Sequence, residues 1–366
     1  MRRAAQTGRC VVIKVGSSSL ALATGGLDQS SIDHVVKQIA RAKADGFRPV
    51  LVTSGAVAAG LPSLGLTKRP TDLPGLQAAA SVGQSLLMRH YASAFADHDL
   101  VVGQVLLTRD VFANRAQYLH ARDALARLLA IDVVPIINEN DTVTVDELRL
   151  GDNDRLAALV CHLVEADMLV LLTDTAGVFS EDPRLSDSAE FVSTVRHNDQ
   201  LLDELYRAST KGGFGSGGIT TKIAAARMAA WSGIPTVIAD AATDGVVHRA
   251  LSGAEVGTWI APHESGLSAR KLWIAFGLPP RGEIRVDEGA TAALRDHGRS
   301  LLAVGIRQAT GDFAAGDAVS VVDVDGVNVA KGLARMDADA VRAAAGQHSS
   351  VVGGEVIHRD DLVLLT

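Results

Sequence analysis

A three-layer α/β/α sandwich around a mainly parallel sheet, followed by a small mostly β domain, is the fold this 366-residue sequence predicts. Over about the first 260 residues, short, nearly continuous runs of Val, Ile and Leu alternate with segments whose apolar residues recur at helical spacing. Such runs suit strands covered on both faces, and the intervening helices are the crossovers that parallel strands require. From about Gly277 the pattern changes to short alternating pieces separated by turn residues, which reads as a separate β-rich module.

The predicted strands are Val11 to Val15, Val50 to Thr53, Val101 to Leu107, Val133 to Ile137, Met168 to Leu172 and Thr236 to Ala239. Between them, Ile32, Val35, Val36 and Ile39 share one helical face. The same spacing predicts helices over Leu76 to Phe95, Tyr118 to Leu129, Leu156 to Val164 and Ile223 to Trp231. In the tail, Pro279-Pro280 precedes turn signals at Gly282, Gly289, Gly311, Gly316 and Asp325-Gly326. The expected division is a first domain over 9–262, a linker over 263–279 and a β-rich domain over 280–366.

Composition narrows the function classes. With 47% hydrophobic residues the chain can bury a large core, and a net charge of −7 gives no overall attraction to nucleic acid or to an anionic membrane. The segment from Arg281 to Thr366 is acidic as well, with 9 Lys and Arg against 13 Asp and Glu. Cys10 and Cys161 lack metal or redox spacing and read as buried apolar residues, consistent with a reducing cytoplasm. The apolar run Val11-Val12-Ile13 is cut short by Lys14, so no signal-peptide core is expected, and no apolar stretch reaches the roughly 18 residues of a membrane span.

Three separated stretches are suited to phosphate: Lys14-Val15-Gly16-Ser17-Ser18, Gly151-Asp152-Asn153-Asp154, and Ser216-Gly217-Gly218-Ile219-Thr220-Thr221-Lys222. Each falls where a strand or glycine turn meets the start of a helix, where backbone N–H groups and the helix dipole favour an anion. Lys14 interrupts an apolar strand, and a buried ammonium there is costly unless an anion meets it; the alternative is a strand-end lysine reaching solvent. Thr53-Ser54-Gly55-Ala56 makes a second small-residue turn at a strand end, the ligand side of an open α/β sheet. Asn138-Glu139-Asn140-Asp141 follows another strand. Asp152, Asn153 and Asp154 could be helix caps, but a cap needs one such residue and three stand here. Gly213, Gly215 and Gly218 satisfy a dinucleotide-type spacing, with Asp240 ending a later strand. Leu201 to Tyr206, in front of those glycines, is helix-like where that motif needs a strand. No Gly-x-x-x-x-Gly-Lys-Ser/Thr sequence occurs.

These motifs together resemble the amino acid kinase family from about Arg9 onward, and the tail, with Gly282-Glu283-Ile284 and Val286-Asp287-Glu288-Gly289-Ala290, is similar to a PUA module. The resemblance implies the amino acid kinase fold and ATP-dependent phosphorylation of the γ-carboxylate of L-glutamate to L-glutamyl 5-phosphate, the first step of proline biosynthesis, with Mg²⁺ as cofactor. It implies that Lys14 and Lys222 offset charge on the transferring phosphoryl group and that Asp154 holds both lysines. Ser54, Asp141 and Asn153 would bind the amino acid, with Asn138 and Asp152 close by. Thr173, Asp174 and the stretch Ser216, Gly217, Gly218, Ile219, Thr220, Thr221 and Lys222 would contact ATP, with Gly16, Gly55 and Ala56 along the phosphate path. No protein metal ligands are assigned. The resemblance also implies a homo-oligomer, dimer or tetramer, and L-proline as feedback inhibitor; the acidic tail argues against an RNA partner. The rival readings are a related kinase acting on another small acid and a non-catalytic RNA-binding or sensor protein using the tail.

Overall fold

The computed structural model describes residues 2–22, 25–108, 111–112, 114–143, 152–183, 186, 188–196, 218–263, 269–278, 280–348 and 354–365. The chain divides into two compact units, residues 1–266 and 267–366.

In the first unit the apolar runs become strands β1 (Cys10–Val15), β2 (Arg48–Val52), β3 (Val102–Leu107), β4 (Val134–Glu139), β5 (Met168–Thr173), β9 (Thr236–Asp240) and β10 (Thr258–Ile260), with short pieces β6 (Val178–Phe179), β7 (Phe191–Val192) and β8 (Thr194–Val195) between β5 and β9. The described helices are α1 (Gln29–Ala44), α2 (Ala56–Gly60), α3 (Leu73–Ala96), α4 (Arg115–Ala130), α5 (Asp152–Leu163), α6 (Gly218–Trp231) and α7 (Val246–Leu251). Caps begin several of them where the sequence supplies an acid or amide: Asp28 accepts from Ser30 N, Asp72 from Gly75 N, and Asn114 from the backbone of Ala116 and Gln117.

Eight strands form one sheet in the order β3-β4-β2-β1-β5-β9-β10-β8. Every pairing is parallel except β9 with β10. The chain runs outwards from β1 through β2 to one edge and then returns to β5 on the other side of β1. The C-terminal ends of β1 and β5 therefore mark a topological switch point, the usual place for a ligand crevice in such sheets. Lys14 pairs with Val52 on one side and Leu171 on the other, within a residue of that end.

Strands β1, β4 and β5 are buried along their whole length. The expectation of two covered faces fails for Val102–Leu107, a partly exposed strand that among the described residues pairs with β4 alone. Edge position depends on long-range order, which a local apolar run does not encode. The main core packs β1, β2 and β5 against α1 and α3 through Ile13, Ile32, Val36, Leu87, Tyr91 and Phe95. Tyr91 lies fully inside, where burial pushes its phenol well up; its hydroxyl shares a 2.8 Å hydrogen bond with Thr53 Oγ1.

Helices α2 and α3 cross at glycines. A methyl group on Gly60 would lie 2.0 Å from Ala79 O, and one on Gly83 would lie 1.7 Å from Ala56 O. These contacts fix the depth at which α3 lies beside the turn after β2. Gly83→Ala is therefore expected to force the helices apart, at a cost of about 1 to 3 kcal/mol or more. Denaturant unfolding should show the loss, and an unchanged midpoint and slope would contradict this close packing.

The second unit builds a five-stranded sheet from β11 (Gly282–Val286), β13 (Ile306–Gly311), β14 (Ala318–Val322), β15 (Asn328–Leu333) and β17 (Leu362–Leu364), in the order β13-β11-β14-β15-β17. Strands β12 (Leu301–Leu302) and β16 (Glu355–Ile357) form a separate pair. Helices α8 (Glu288–His297) and α9 (Ala338–Ala344), capped by Asp287 and Asp337, complete the unit. Lys331 of β15 is buried, and its Nζ donates to Ala275 O at 3.0 Å and to Leu278 O, tying the segment before β11 to this sheet.

Candidate active site

The strand ends converge on two adjacent side chains in the first turn of α5. Asp154 faces the lysines. Its Oδ1 lies 2.6 Å from Lys14 Nζ, its Oδ2 lies 3.4 Å from Lys222 Nζ, and the same Oδ2 accepts from Thr221 Oγ1 at 2.7 Å. Lys222 Nζ also donates to Gly218 O at 3.2 Å, one turn earlier in α6. All three charged residues are buried, with relative exposures of 3% for Lys14, 1% for Asp154 and 7% for Lys222.

Two ammoniums therefore share one carboxylate, which leaves a net positive charge among these three side chains at the end of the sheet. Burial pushes the Lys14 ammonium below its usual range; Asp154 opposes the shift and Lys222 adds to it. For Asp154, burial pushes the carboxyl up, but the two lysines and the hydrogen bonds from Lys14 and Thr221 outweigh it, leaving the group below its ordinary value. Burying like charges side by side is unfavourable in isolation. The arrangement is the one expected where a polyanion completes the balance. Gly16 directly follows β1, and a methyl group there would lie 3.4 Å from Lys14 Nζ, an ordinary contact distance.

Asn153, the neighbour of Asp154, organises a second group. Its Nδ2 donates to Ser54 Oγ and to Asn138 Oδ1, both at 3.0 Å. The Glu139 backbone N–H donates to Asn138 Oδ1 at 2.9 Å and to Asn153 Oδ1 at 3.3 Å, while Asn138 Nδ2 donates to Gln84 Oε1 at 2.8 Å. Ser54 and Gly55 follow β2; Gly55 has φ of 107°, the left-handed conformation a glycine permits as the chain turns into α2. Beside this network opens a cavity of about 200 Å³ whose lining includes Ala56, Gln84, Glu139 and Asp141.

The structure thus gathers Lys14, Asp154, Thr221 and Lys222 in one cluster and Ser54, Asn138 and Asn153 in another, joined through consecutive residues of α5. Asp141 lines the cavity with Ala56. Thr173 ends β5 beside β1, and its Oγ1 donates to Asp174 Oδ1 at 3.1 Å. Gly218, Ile219 and Thr220 form the first turn of α6. Asp152 begins α5, and its side chain lies outside the described residues, as do Ser216, Gly217, Gly151 and the helix-like stretch Leu201 to Tyr206. Sequence reasoning missed Gln84. Its signal was slight: it continues the Leu76, Ala80 face of α3 at the next i+4 position, a polar residue in an otherwise apolar stripe. No group of His, Cys, Asp and Glu among the described residues could hold a metal ion, and no described helix is long and apolar enough to cross a membrane.

A buried pair of lysines at the switch point of a parallel sheet, with a cavity alongside, is an arrangement suited to a polyanionic ligand. The sequence profile of the amino acid kinase family matches residues 9–240 and that of the PUA domain matches residues 282–353. The chain belongs to the amino acid kinase family, as its motifs implied, and its β-rich second unit carries the PUA domain. Among its relatives are proteins named glutamate 5-kinase from Frankia casuarinae (48% identical over 373 aligned positions, 100% of this chain and 99% of the relative), Salinispora arenicola (46%) and Marinomonas sp. strain MWYL1 (45%), the last two aligned over the full length of both chains.

Proposed function

We propose that this chain transfers the γ-phosphoryl group of ATP to the γ-carboxylate of L-glutamate, giving L-glutamyl 5-phosphate, the first step of proline biosynthesis. The observation that carries the reading is the Lys14–Asp154–Lys222 cluster, in which the two ammoniums are held by one carboxylate. Relatives that share the whole length of the chain, second unit included, carry one name, which disfavours both a kinase for another acid and a non-catalytic RNA-binding protein.

The attacking γ-carboxylate is ionised near pH 7, with an ordinary pKa of about 4.3, so the reaction needs no general base. Catalysis then rests on alignment and on stabilising charge that develops on the transferring group. Lys14 and Lys222 supply that stabilisation, and Asp154 acts as the positioning residue that fixes their spacing. Thr221 braces Asp154 from α6, so this threonine serves the site through the carboxylate. Gly16 and Gly55 keep backbone close to the phosphate path, and Thr173, Asp174 and the start of α6 form the nucleotide side. The net positive charge of this cluster suits nucleotide phosphates; Mg²⁺ would enter with those phosphates, since the described residues include no carboxylate or histidine cluster to hold it, and would supply further neutralisation of their charge.

On the acceptor side, Ser54, Asn153 and Asn138 orient glutamate, and Asp141 meets its α-ammonium. A charge-assisted contact of this kind contributes roughly 1.5 to 3 kcal/mol. Asp141→Asn is accordingly expected to raise KM for glutamate about tenfold or more while leaving KM for ATP almost unchanged; equal rises in both would remove the case for an amine contact. The family resemblance further suggests inhibition by L-proline, assembly as a dimer or tetramer, and a cytoplasmic setting.

The direct test of this reading is an ATP-dependent hydroxamate assay with L-glutamate, L-aspartate and N-acetylglutamate compared side by side. Strong preference for L-glutamate is expected. Turnover of N-acetylglutamate at an equal rate would overturn the reading, because that acceptor has no ammonium for Asp141.

A further inference from the structure

The polarity of the amide relay behind the cavity can be fixed from one end. A backbone N–H can only donate, and that of Glu139 meets Asn138 Oδ1 at 2.9 Å. Asn138 must then direct its Nδ2 the other way, where it donates to Gln84 Oε1 at 2.8 Å. With its oxygen so committed, Gln84 turns its Nε2 away from the relay. That nitrogen is buried and has no hydrogen-bond partner among the described residues, yet Gln84 lines the same cavity as Asp141 and Glu139. Buried amide groups left unpaired are rare and costly, so an acceptor supplied by a ligand is the economical reading.

The chemistry of that acceptor is narrow. The amino group of an amide only donates, so it cannot serve the substrate's ammonium, for which Asp141 stands in the same cavity. It suits a carboxylate oxygen. Along the relay, Asp154 touches the lysines, Asn153 follows, then Asn138, and Gln84 ends the series, the last step away from the lysines. The carboxylate that reacts must lie at the lysine end. We infer that Gln84 is a specificity-determining residue whose Nε2 donates to the α-carboxylate of the acceptor amino acid, an assignment that rests on the proposed glutamate reading of the cavity. Asn138, Asn153 and the Glu139 backbone act through it as positioning groups. The adjacent Gly83 packs against α2, where a methyl group would lie 1.7 Å from Ala56 O.

The inference can be tested with Gln84→Glu and Gln84→Met, each assayed with L-glutamate and with its α-amide, which keeps the γ-carboxylate but replaces the α-carboxylate by a carboxamide. Gln84→Glu preserves an oxygen for Asn138 and so disturbs the relay least. It is expected to lower kcat/KM for L-glutamate by about a hundredfold, since two carboxylates then face each other, while the α-amide loses far less; the preference between the two acceptors should shift by at least about tenfold. Gln84→Met should raise KM for L-glutamate about tenfold with kcat within about threefold and KM for ATP unchanged. A residue that merely buttresses Asn138 would depress both acceptors equally, and an unchanged acceptor ratio in Gln84→Glu overturns the inference. Wild-type protein that does not phosphorylate L-glutamate at all would instead overturn the functional reading beneath it.

Discussion

Lys222→Ala should lower kcat by about a hundredfold or more while the protein stays folded. The ammonium it removes lies 3.4 Å from Asp154, and Lys222 as a residue is 7% exposed, so the charge acts in a water-poor site where a preorganised group has its full effect on a developing anion. Asp154 keeps its 2.6 Å partner Lys14 and the hydrogen bond from Thr221, and is therefore not stranded by the substitution. KM for glutamate should change little, because the acceptor contacts run through Asn153, Asn138 and Ser54. Steady-state kinetics alongside circular dichroism decide the matter. A folded variant retaining more than about a third of wild-type kcat would show that Lys222 does not stabilise the transferring group.

Asp154→Asn should cost both activity and stability. Removing one member of a buried ion pair while leaving its partners inside typically destabilises by about 3 to 5 kcal/mol, and here two ammoniums lose their shared counter-charge. The pH dependence has a definite sign. In the wild type, Asp154 sits below its ordinary value, so its contribution is present above that range and fades as pH falls through the lowered folded value. Burial already holds Lys14 below its ordinary 10.5. Without Asp154 it should fall further, so the folded variant sheds that proton at lower pH than the unfolded chain does. The stability gap between variant and wild type should narrow as pH rises through the alkaline range below 10.5. Thermal melts across pH check this, and a gap that widened with rising pH would mean that the lysines are not the cause.

Much of this site was legible in the sequence because its chemistry breaks local rules. Lys14 is a charge inside a strand otherwise made of Val, Ile and Cys, and Asp152-Asn153-Asp154 exceeds what a helix cap requires. Lys222 follows two threonines at a helix start. The parallel sheet was legible for a similar reason, since β1, β4 and β5 are buried along their length and their sequences show it. What depended on distant partners was not legible. The run Val102–Leu107 has the composition of a central strand, but nothing within it says that only β4 will lie beside it. Strand β10 is three residues long and antiparallel, and α2 has five residues, too few for a periodic signal. Gln84 escaped notice because its meaning comes from Asn138, 54 residues away. The family resemblance implies a nucleotide contact for Thr221, and its hydrogen bond to Asp154 emerges only once α5 and α6 are packed together.

The central claim, attack of a glutamate carboxylate oxygen on the γ-phosphorus of ATP, can be followed by the oxygen itself. Glutamate labelled with oxygen-18 in its γ-carboxylate is incubated with ATP, Mg²⁺, the protein and hydroxylamine. Attack forms a bond from carboxylate oxygen to phosphorus and releases ADP; hydroxylamine then cleaves the acyl carbon–oxygen bond, so the phosphate departs with the labelled bridging oxygen. Phosphorus NMR of the released phosphate should show one oxygen-18 per molecule, matched in amount by glutamyl hydroxamate. Phosphate carrying no label would mean that water or another acceptor receives the phosphoryl group, and would contradict the account.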